Sequence, residues 1–217
     1  MVSRLRCFIG GILFCFFTSS FALHATENDD LVKAMMEVYA EELAANPQDY
    51  RTYYSRAMAY FGQGDMKKAL SDIDNAIKYF PRKEKDDLAQ AYLLRAKILS
   101  ERGETKSALT DLNSALRLVP NHRLALKDRG DLLCRLGQYD MAKIDYNHLL
   151  RMDTRSQSAF MGLARVEAHT GQPVRAKDLL AQAVNLSPKD PKIYLERSEI
   201  YKEMDMMPEA VDAVSYT

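Results

Sequence analysis

Histidine and cysteine are the side chains in this sequence that could hold a metal ion. A zinc site on a helix needs two such residues three or four positions apart, so that both point to the same side. The four histidines do not meet this requirement, since none has another histidine or a cysteine at that spacing: His24, His122, His148 and His169. We therefore expect no metal site and no cofactor.

Paired carboxylates are the other candidates for chemistry, as a general acid and a general base. The adjacent pairs Glu41–Glu42 and Asp86–Asp87 fall on a helix surface or a loop, without an apolar pocket that would shift a pKa. The glycines form no phosphate-binding loop, and no Gly-x-Ser-x-Gly motif occurs. The sequence thus predicts a protein that is not an enzyme.

The composition is that of a folded protein without a nucleic-acid partner. Of 217 residues, 47% are hydrophobic, which is enough apolar material for a core. Thirty Lys and Arg balance thirty Asp and Glu. The chain therefore lacks the basic field that binding to nucleic-acid phosphates requires.

The first 22 residues resemble a secretory signal. Arg4 and Arg6 precede an uncharged apolar run, and the small residues Ser20 and Ala22 flank Phe21 as a cleavage site requires. We expect cleavage after Ala22, with a cut after Ala25 or an uncleaved anchor as alternatives. The protein would then be periplasmic in a Gram-negative bacterium and otherwise secreted, and the membrane would be met only through this segment.

Removal of the signal would leave one cysteine, Cys134, which could form no internal disulfide. We expect Cys134 to fill space in the core or the groove.

A period of 34 residues runs through the rest of the chain. Gly103, Gly137 and Gly171 are 34 residues apart, and Gly64 precedes them by 39. Alanines keep the same spacing, at Ala69, Ala108, Ala142, Ala176 and Ala210. A fixed period of this length is typical of stacked repeats.

Each unit reads as two helices. In the first unit they are residues 50–63 and 66–79, separated by Gly64 and Asp65, and Pro81 ends the second. Small residues mark the places where helices approach closely. These are Ala57, Ala69, Ala76, Ala96, Ala108, Ala115, Gly130, Ala142, Ala164, Ala176 and Ala183.

From Tyr50 to nearly the C-terminus this pattern resembles the tetratricopeptide repeat family. The resemblance implies an all-α, right-handed α-α superhelical solenoid of helix-turn-helix repeats. The predicted organisation is a signal peptide (1–22), an N-terminal capping helix (23–49), four repeats (50–83, 89–122, 123–156 and 157–190) and a partial fifth (191–217). Five extra residues after the first repeat could lengthen either a loop or the helix ends, and we assign 84–88 to an insertion loop.

One arginine slot and one aspartate slot vary together between the units. In the fourth unit both become leucine, Leu163 and Leu179, which suggests contact because an unpartnered buried charge is costly. The fifth unit departs from this pattern, with Arg197 opposite Ala213. The predicted structural ion pairs are Arg56–Asp72, Arg95–Asp111 and Arg129–Asp145.

Stacked hairpins leave a concave surface lined by the first helices. The resemblance implies that this surface binds peptides or helices of partner proteins. We predict that the groove is lined by Tyr54, Met58, Phe61, Lys97, Glu101, Lys127, Asp131, Arg165 and His169. Tyr54, Met58 and Leu94 replace the lysine and asparagines with which some family members grip a chaperone's C-terminal carboxylate, so we do not expect that ligand.

Two functions from different classes remain open at this point. The first is an exported adaptor that binds polypeptide partners, of unknown identity, in its groove. The second is a structural subunit of an envelope complex that associates through the incomplete C-terminal repeat, where Val211 and Val214 would form an exposed edge. Light scattering would separate them, because a monomer at all concentrations argues against the second.

Overall fold

The structure is a computed structural model that describes the backbone of residues 24–206 and the side chains of residues 31–206. The predicted signal segment (1–22), Ala213, Val211 and Val214 lie outside the described residues. The chain divides into two compact units, Met1–Pro47 and Gln48–Thr217. Over the described range every regular element is an α-helix.

The N-terminal unit contains α1, His24–Ala45. It begins three residues before the helix that the sequence predicts at 27–46. Leu43 is buried, whereas Leu31 at the other end of the predicted apolar face is exposed. That α1 caps the repeats stays a prediction.

The second unit is a series of helical hairpins. Nine helices occupy its described residues: α2 (Tyr50–Gly62), α3 (Met66–Tyr79), α4 (Lys85–Glu101), α5 (Thr105–Leu118), α6 (Arg123–Arg135), α7 (Tyr139–Met152), α8 (Gln157–His169), α9 (Pro173–Leu186) and α10 (Pro191–Glu203). The even-numbered helices are the first helices of the units and the odd-numbered ones the second. Each helix packs on the next along the chain, as the stacking of repeats requires.

The periodic glycines connect the two helices of each unit. Gly64, Gly103, Gly137 and Gly171 have φ of 79°, 77°, 70° and 75°. A side chain is strained in this left-handed conformation, and glycine is not. The period seen in the sequence is therefore the period of a turn that needs positive φ.

The assignment of residues 84–88 to an insertion loop is wrong in the structure. Lys85 begins α4, so the extra residues lengthen the helix to 17 residues. Leu88 and Ala91 in this added part are buried, and Asp86 and Asp87 lie in the first helical turn, where negative charge is favourable. The charged stretch that suggested a loop is the exposed side of this turn.

The small residues predicted at the crossings lie in the core. All of them are at most 2% exposed or classed as buried, and the third unit differs from the others by a ring. Tyr146 is fully buried between two helical glycines, and a Cβ at Gly130 would come within 2.8 Å of its Cε1. A Cβ at Gly162 would overlap the same ring. The two glycines thus make the space that Tyr146 fills.

No helix within residues 24–206 is both long enough and apolar enough to cross a bilayer.

Candidate functional site

The structure brings together each arginine and aspartate that the sequence pairs. In the first unit Arg56 donates from Nε to Asp72 Oδ2 at 2.6 Å and from Nη2 to Oδ1 at 2.8 Å. The other two pairs, Arg95–Asp111 and Arg129–Asp145, have the same two-bond geometry at 2.6–2.8 Å. The three carboxylates are buried and their arginines are partly exposed. Each pair joins the two helices of one unit.

Two of these arginines also reach the preceding unit. Arg95 donates from Nη1 to Asp74 at 2.7 Å, and Arg129 donates from Nη1 to Asn113 at 2.8 Å. Hydrogen bonds to both carboxylates, chiefly Asp111, raise the pKa of Arg95 although burial opposes this. The sequence analysis missed these contacts, which the shared 39- and 34-residue register of Asp74 and Asn113 could have revealed.

The fourth unit is held by a different set of charges. Leu163 is buried and Leu179 packs beside it, where the other units have the ion pair. Glu167 of α8 is buried instead, with Lys143 Nζ at 2.7 Å and Arg175 Nε at 3.5 Å. These contacts link the fourth unit to the third, and the sequence analysis did not identify them.

A cavity of about 250 Å³ opens on the side of the first helices. Neighbouring first helices contact each other at α2 with α4, α6 with α8 and α8 with α10, but α4 with α6 is not among these closer pairs. The cavity lies at this gap. Its apolar wall includes Phe61, Leu112 and Leu132, and its charged wall is formed by Lys97, Glu101, Asp128, Asp131 and Arg135.

Four of the predicted groove residues line this cavity: Phe61, Lys97, Glu101 and Asp131. Lys127 stands behind them, with Nζ 2.6 Å from Asp131 Oδ2. Tyr54 and Met58 do not line it, since Tyr54 packs against the core and Met58 is 51% exposed.

Arg165 and His169 lie further along the first-helix side. Glu203 of α10 is 3.6 Å from Arg165 Nε and 3.3 Å from His169 Nε2. The structure therefore divides the predicted groove residues into a cavity group and a group that contacts the fifth unit.

Asp128 is the carboxylate of the cavity that sequence reasoning missed. Its Oδ2 is buried and accepts no hydrogen bond, and the nearest cation, Lys97 Nζ, is 3.8 Å away. Burial raises the pKa of Asp128, although Lys97 and Lys127 oppose the rise. The corresponding residues of the other units are Ser55, Leu94 and Gly162, so comparison of the repeats gave no signal for a charge here.

Asp131, in contrast, is fully engaged. It accepts from Lys127 on Oδ2 and from the Tyr146 hydroxyl on Oδ1, the latter at 2.7 Å. Burial and the neighbouring Asp131 raise the pKa of Tyr146, so this hydroxyl stays a donor. The buried ring thus fixes a carboxylate of the cavity from behind.

The nucleophile and metal candidates have other roles. Cys134 is buried, and burial raises the pKa of its thiol, which is the opposite of activation. His122 caps α6 by accepting from Ala125 N, and His148 bonds Asn121 Oδ1 at 2.9 Å. His169 stacks on Tyr139. Among the residues whose side chains are described, no three His, Cys, Asp or Glu are grouped to bind a metal.

The chain is similar to solved structures of repeat proteins over most of its length. A tetratricopeptide repeat protein from Parabacteroides merdae ATCC 43184 is 26% identical with a TM-score of 0.75, over 88% of this chain and 73% of that one. MamA is 17% identical with a TM-score of 0.66, over 81% of this chain and 99% of its own. YrrB, described as a TPR protein with an unusual peptide-binding site, is 16% identical with a TM-score of 0.60, over 82% and 89%. No curated protein matches the chain.

These likenesses confirm the predicted all-α helical repeat solenoid. The family model for the tetratricopeptide repeat matches residues 36–87, 54–123 and 127–191, which together span more than half of the chain. The turn glycines and the buried alanines keep their period across these matches. The chain therefore belongs to the tetratricopeptide repeat family.

Proposed function

We propose that this protein is a non-catalytic scaffold that binds polypeptide partners along the side of its first helices. The observation that carries the proposal is the cavity between α4 and α6, in which an apolar wall with Phe61 faces a wall of charged side chains. An interface needs this combination, because apolar anchors supply affinity and charges supply selectivity.

The size of the cavity favours a polypeptide over a small molecule. Small-molecule sites typically enclose about 300–1,000 Å³, and this cavity holds about 250 Å³. A single anchor side chain fits such a volume, while the rest of a partner would lie on the neighbouring helices. The printed description of YrrB gives a peptide-binding site to one protein of this fold.

Export is a second part of the proposal, and the sequence alone supports it. Arg4, Arg6 and the apolar run that follows direct the chain into the secretory pathway, with cleavage after Ala22. Sequencing the N-terminus of the protein recovered from its native compartment tests this. A mature chain starting at Leu23 agrees with it, and an intact N-terminus contradicts cleavage.

Association through the incomplete fifth repeat is the alternative role. It depends on residues 207–217, which lie outside the described residues, so no observation of the structure favours it.

A random dodecapeptide library displayed on phage, selected on the full chain, tests the binding proposal. We expect enrichment of peptides that the double variant Met58→Ala/Phe61→Ala binds at least tenfold more weakly. The matched control is Met141→Ala/Ile144→Ala on the second helix α7, where Met141 is 55% exposed and Ile144 62%. Both pairs remove a methionine and a second large apolar side chain.

The two double variants separate the outcomes. Loss of binding in the first-helix variant, with normal binding in the second-helix variant, supports the proposal. Equal loss in both, or no enriched peptide at all, counts against it. Circular dichroism and the melting temperature of each variant show that the fold is kept, because Phe61 is partly buried in the core.

A further inference from the structure

We propose that the cavity between α4 and α6 binds the cationic side chain of an arginine or lysine in a partner polypeptide. The inference rests on the proposed function and adds the chemistry of the anchor residue. It concerns five charged side chains and one apolar wall, all within the repeats.

Acids outnumber bases in the lining of the cavity. Glu101, Asp128 and Asp131 face Lys97 and Arg135. Arg135 donates from Nη2 to the neutral hydroxyl of Ser100 at 2.9 Å, so it neutralises none of the three carboxylates by a direct contact. An anionic guest would add a further negative charge to this wall, whereas a cationic guest would balance it.

Two of the three carboxylates have capacity left for a donor. Asp131 is satisfied by Lys127 and Tyr146. Asp128 Oδ2 has no hydrogen-bond donor, and Lys97 at 3.8 Å is beyond hydrogen-bond distance. Glu101 is exposed and forms no hydrogen bond or ion pair with the described side chains. A buried carboxylate oxygen without a donor is costly, so a guest that supplies one gains from it.

The resident lysine next to the cavity reports the sign of the local field. Burial acts to lower the pKa of Lys127, yet the pKa is raised, because Asp131, Asp128 and Glu196 together outweigh the burial. A cation is therefore stabilised at this place even though it is partly removed from water.

The shape of the site suits a long cationic side chain. Phe61 and Leu132 form an apolar wall beside the carboxylates. The alkyl stem of arginine or lysine covers apolar surface while its charged end stays with polar groups. Lys97 occupies the position next to Asp128 in the absence of a guest, and its side chain is 44% exposed, so a guest can displace it into solvent.

Single-residue changes give the proposal opposite signs on its two sides. Asp128→Asn removes the acceptor charge, and we expect it to weaken the selected peptides about tenfold, the effect of losing one charge-assisted hydrogen bond. Lys97→Gln removes the competing cation, and we expect it to strengthen them. Replacing the basic residue of the peptide by citrulline or glutamine should weaken binding to the natural chain as much as Asp128→Asn does.

Matched controls carry the same charge changes on second helices. Asp178→Asn on α9 and Lys106→Gln on α5 alter exposed residues and should leave peptide affinity unchanged. Affinities are measured by fluorescence anisotropy of synthetic peptides on the full chain, at two salt concentrations, since charge pairing weakens with salt. Melting temperatures check that each variant is folded.

The outcomes distinguish this inference from the proposed function. Peptides rich in arginine or lysine, weakened by Asp128→Asn and strengthened by Lys97→Gln, support it. Peptides that lose affinity in Met58→Ala/Phe61→Ala but are acidic, or are indifferent to Asp128→Asn, keep the proposed function and overturn the inference. No enriched peptide at all overturns both.

Discussion

Tyr146 links the core of the repeats to the surface on which we place binding. Its ring fills the space beside Gly130 and Gly162, and its hydroxyl holds Asp131 at the cavity. The corresponding residues of the neighbouring units are Leu112 and Leu180, which have no polar atom to reach the groove. The third unit thus couples packing to the position of a surface charge.

The first prediction concerns the glycine beside that ring. Gly162→Ala should lower the free energy of unfolding by about 1–3 kcal/mol, because its methyl group would overlap Tyr146 in a packed core. Gly62→Ala is the control, since nothing lies within 4 Å of a Cβ there. Alanine favours helix by up to about 1 kcal/mol, so this control should be neutral or stabilising. Urea unfolding midpoints that fall equally in both variants would contradict the packing account.

A second prediction concerns the buried hydroxyl. In the folded protein the pKa of Tyr146 is raised above the ordinary value of about 10. Its contribution to stability is therefore complete below pH 10 and is lost as the pH rises above 10, where the unfolded chain ionises first. Tyr146→Phe should cost about 1–2 kcal/mol at pH 7 through the lost hydrogen bond.

The same variant should then lose less stability than the natural chain between about pH 9 and pH 11. Urea unfolding at these two pH values measures the difference, and other titrating groups cancel between the two proteins. Parallel losses in the two proteins would show that Tyr146 is not held neutral.

Residue pairs were predictable where repetition supplied a comparison. The arginine and aspartate slots change together in the fourth unit, and this joint change identified the contacts that the structure contains. Asp128 and Glu167 occur in one unit each, so the repeats held no signal for them. Their roles depend on the neighbouring unit, which only the folded arrangement brings near.

At the scale of elements, the helices of a hairpin are joined by one ion pair or by its apolar replacement. Arg56–Asp72 holds α2 to α3, whereas Leu163 and Leu179 stand at the same positions in the fourth unit. Removing one partner of a buried pair typically costs about 3–5 kcal/mol, and replacing both by apolar residues is often neutral. The chain therefore contains both solutions to the same packing problem.

A third prediction follows from this substitution between units. Arg56→Leu should lower the free energy of unfolding by about 3 kcal/mol, because it leaves the buried Asp72 carboxylate without its partner. The double variant Arg56→Leu/Asp72→Leu should recover most of that loss. Denaturant midpoints of the natural chain, both single variants and the double variant complete the cycle. A double variant with the summed loss of the two singles would contradict direct coupling.

Helix boundaries were predictable where a conformational requirement sets them, and less so elsewhere. The turn glycines need positive φ, so residues 66–79 were predicted as the helix that the structure shows. The insertion was assigned to a loop because its residues are charged. It is helical because Leu88 and Ala91 continue the buried side of α4, a tertiary effect that local charge does not report.

For the whole molecule, the repeat register predicted which helices present side chains to the groove but not how these side chains are used. Phe61, Lys97, Glu101 and Asp131 line the cavity as the register requires. Arg165 and His169 contact Glu203 instead. That contact depends on how closely the fourth and fifth units stack, which the spacing of one unit does not encode.

Site-specific photo-cross-linking is the measurement that tests the central claim most directly. A benzophenone amino acid is placed at position 58 or 97 on the first helices, or at position 141 or 144 on α7, and the full chain is irradiated with its tightest selected peptide. If the first helices form the binding surface, positions 58 and 97 will yield the adduct and positions 141 and 144 will not. Adducts from the α7 positions alone would contradict the account.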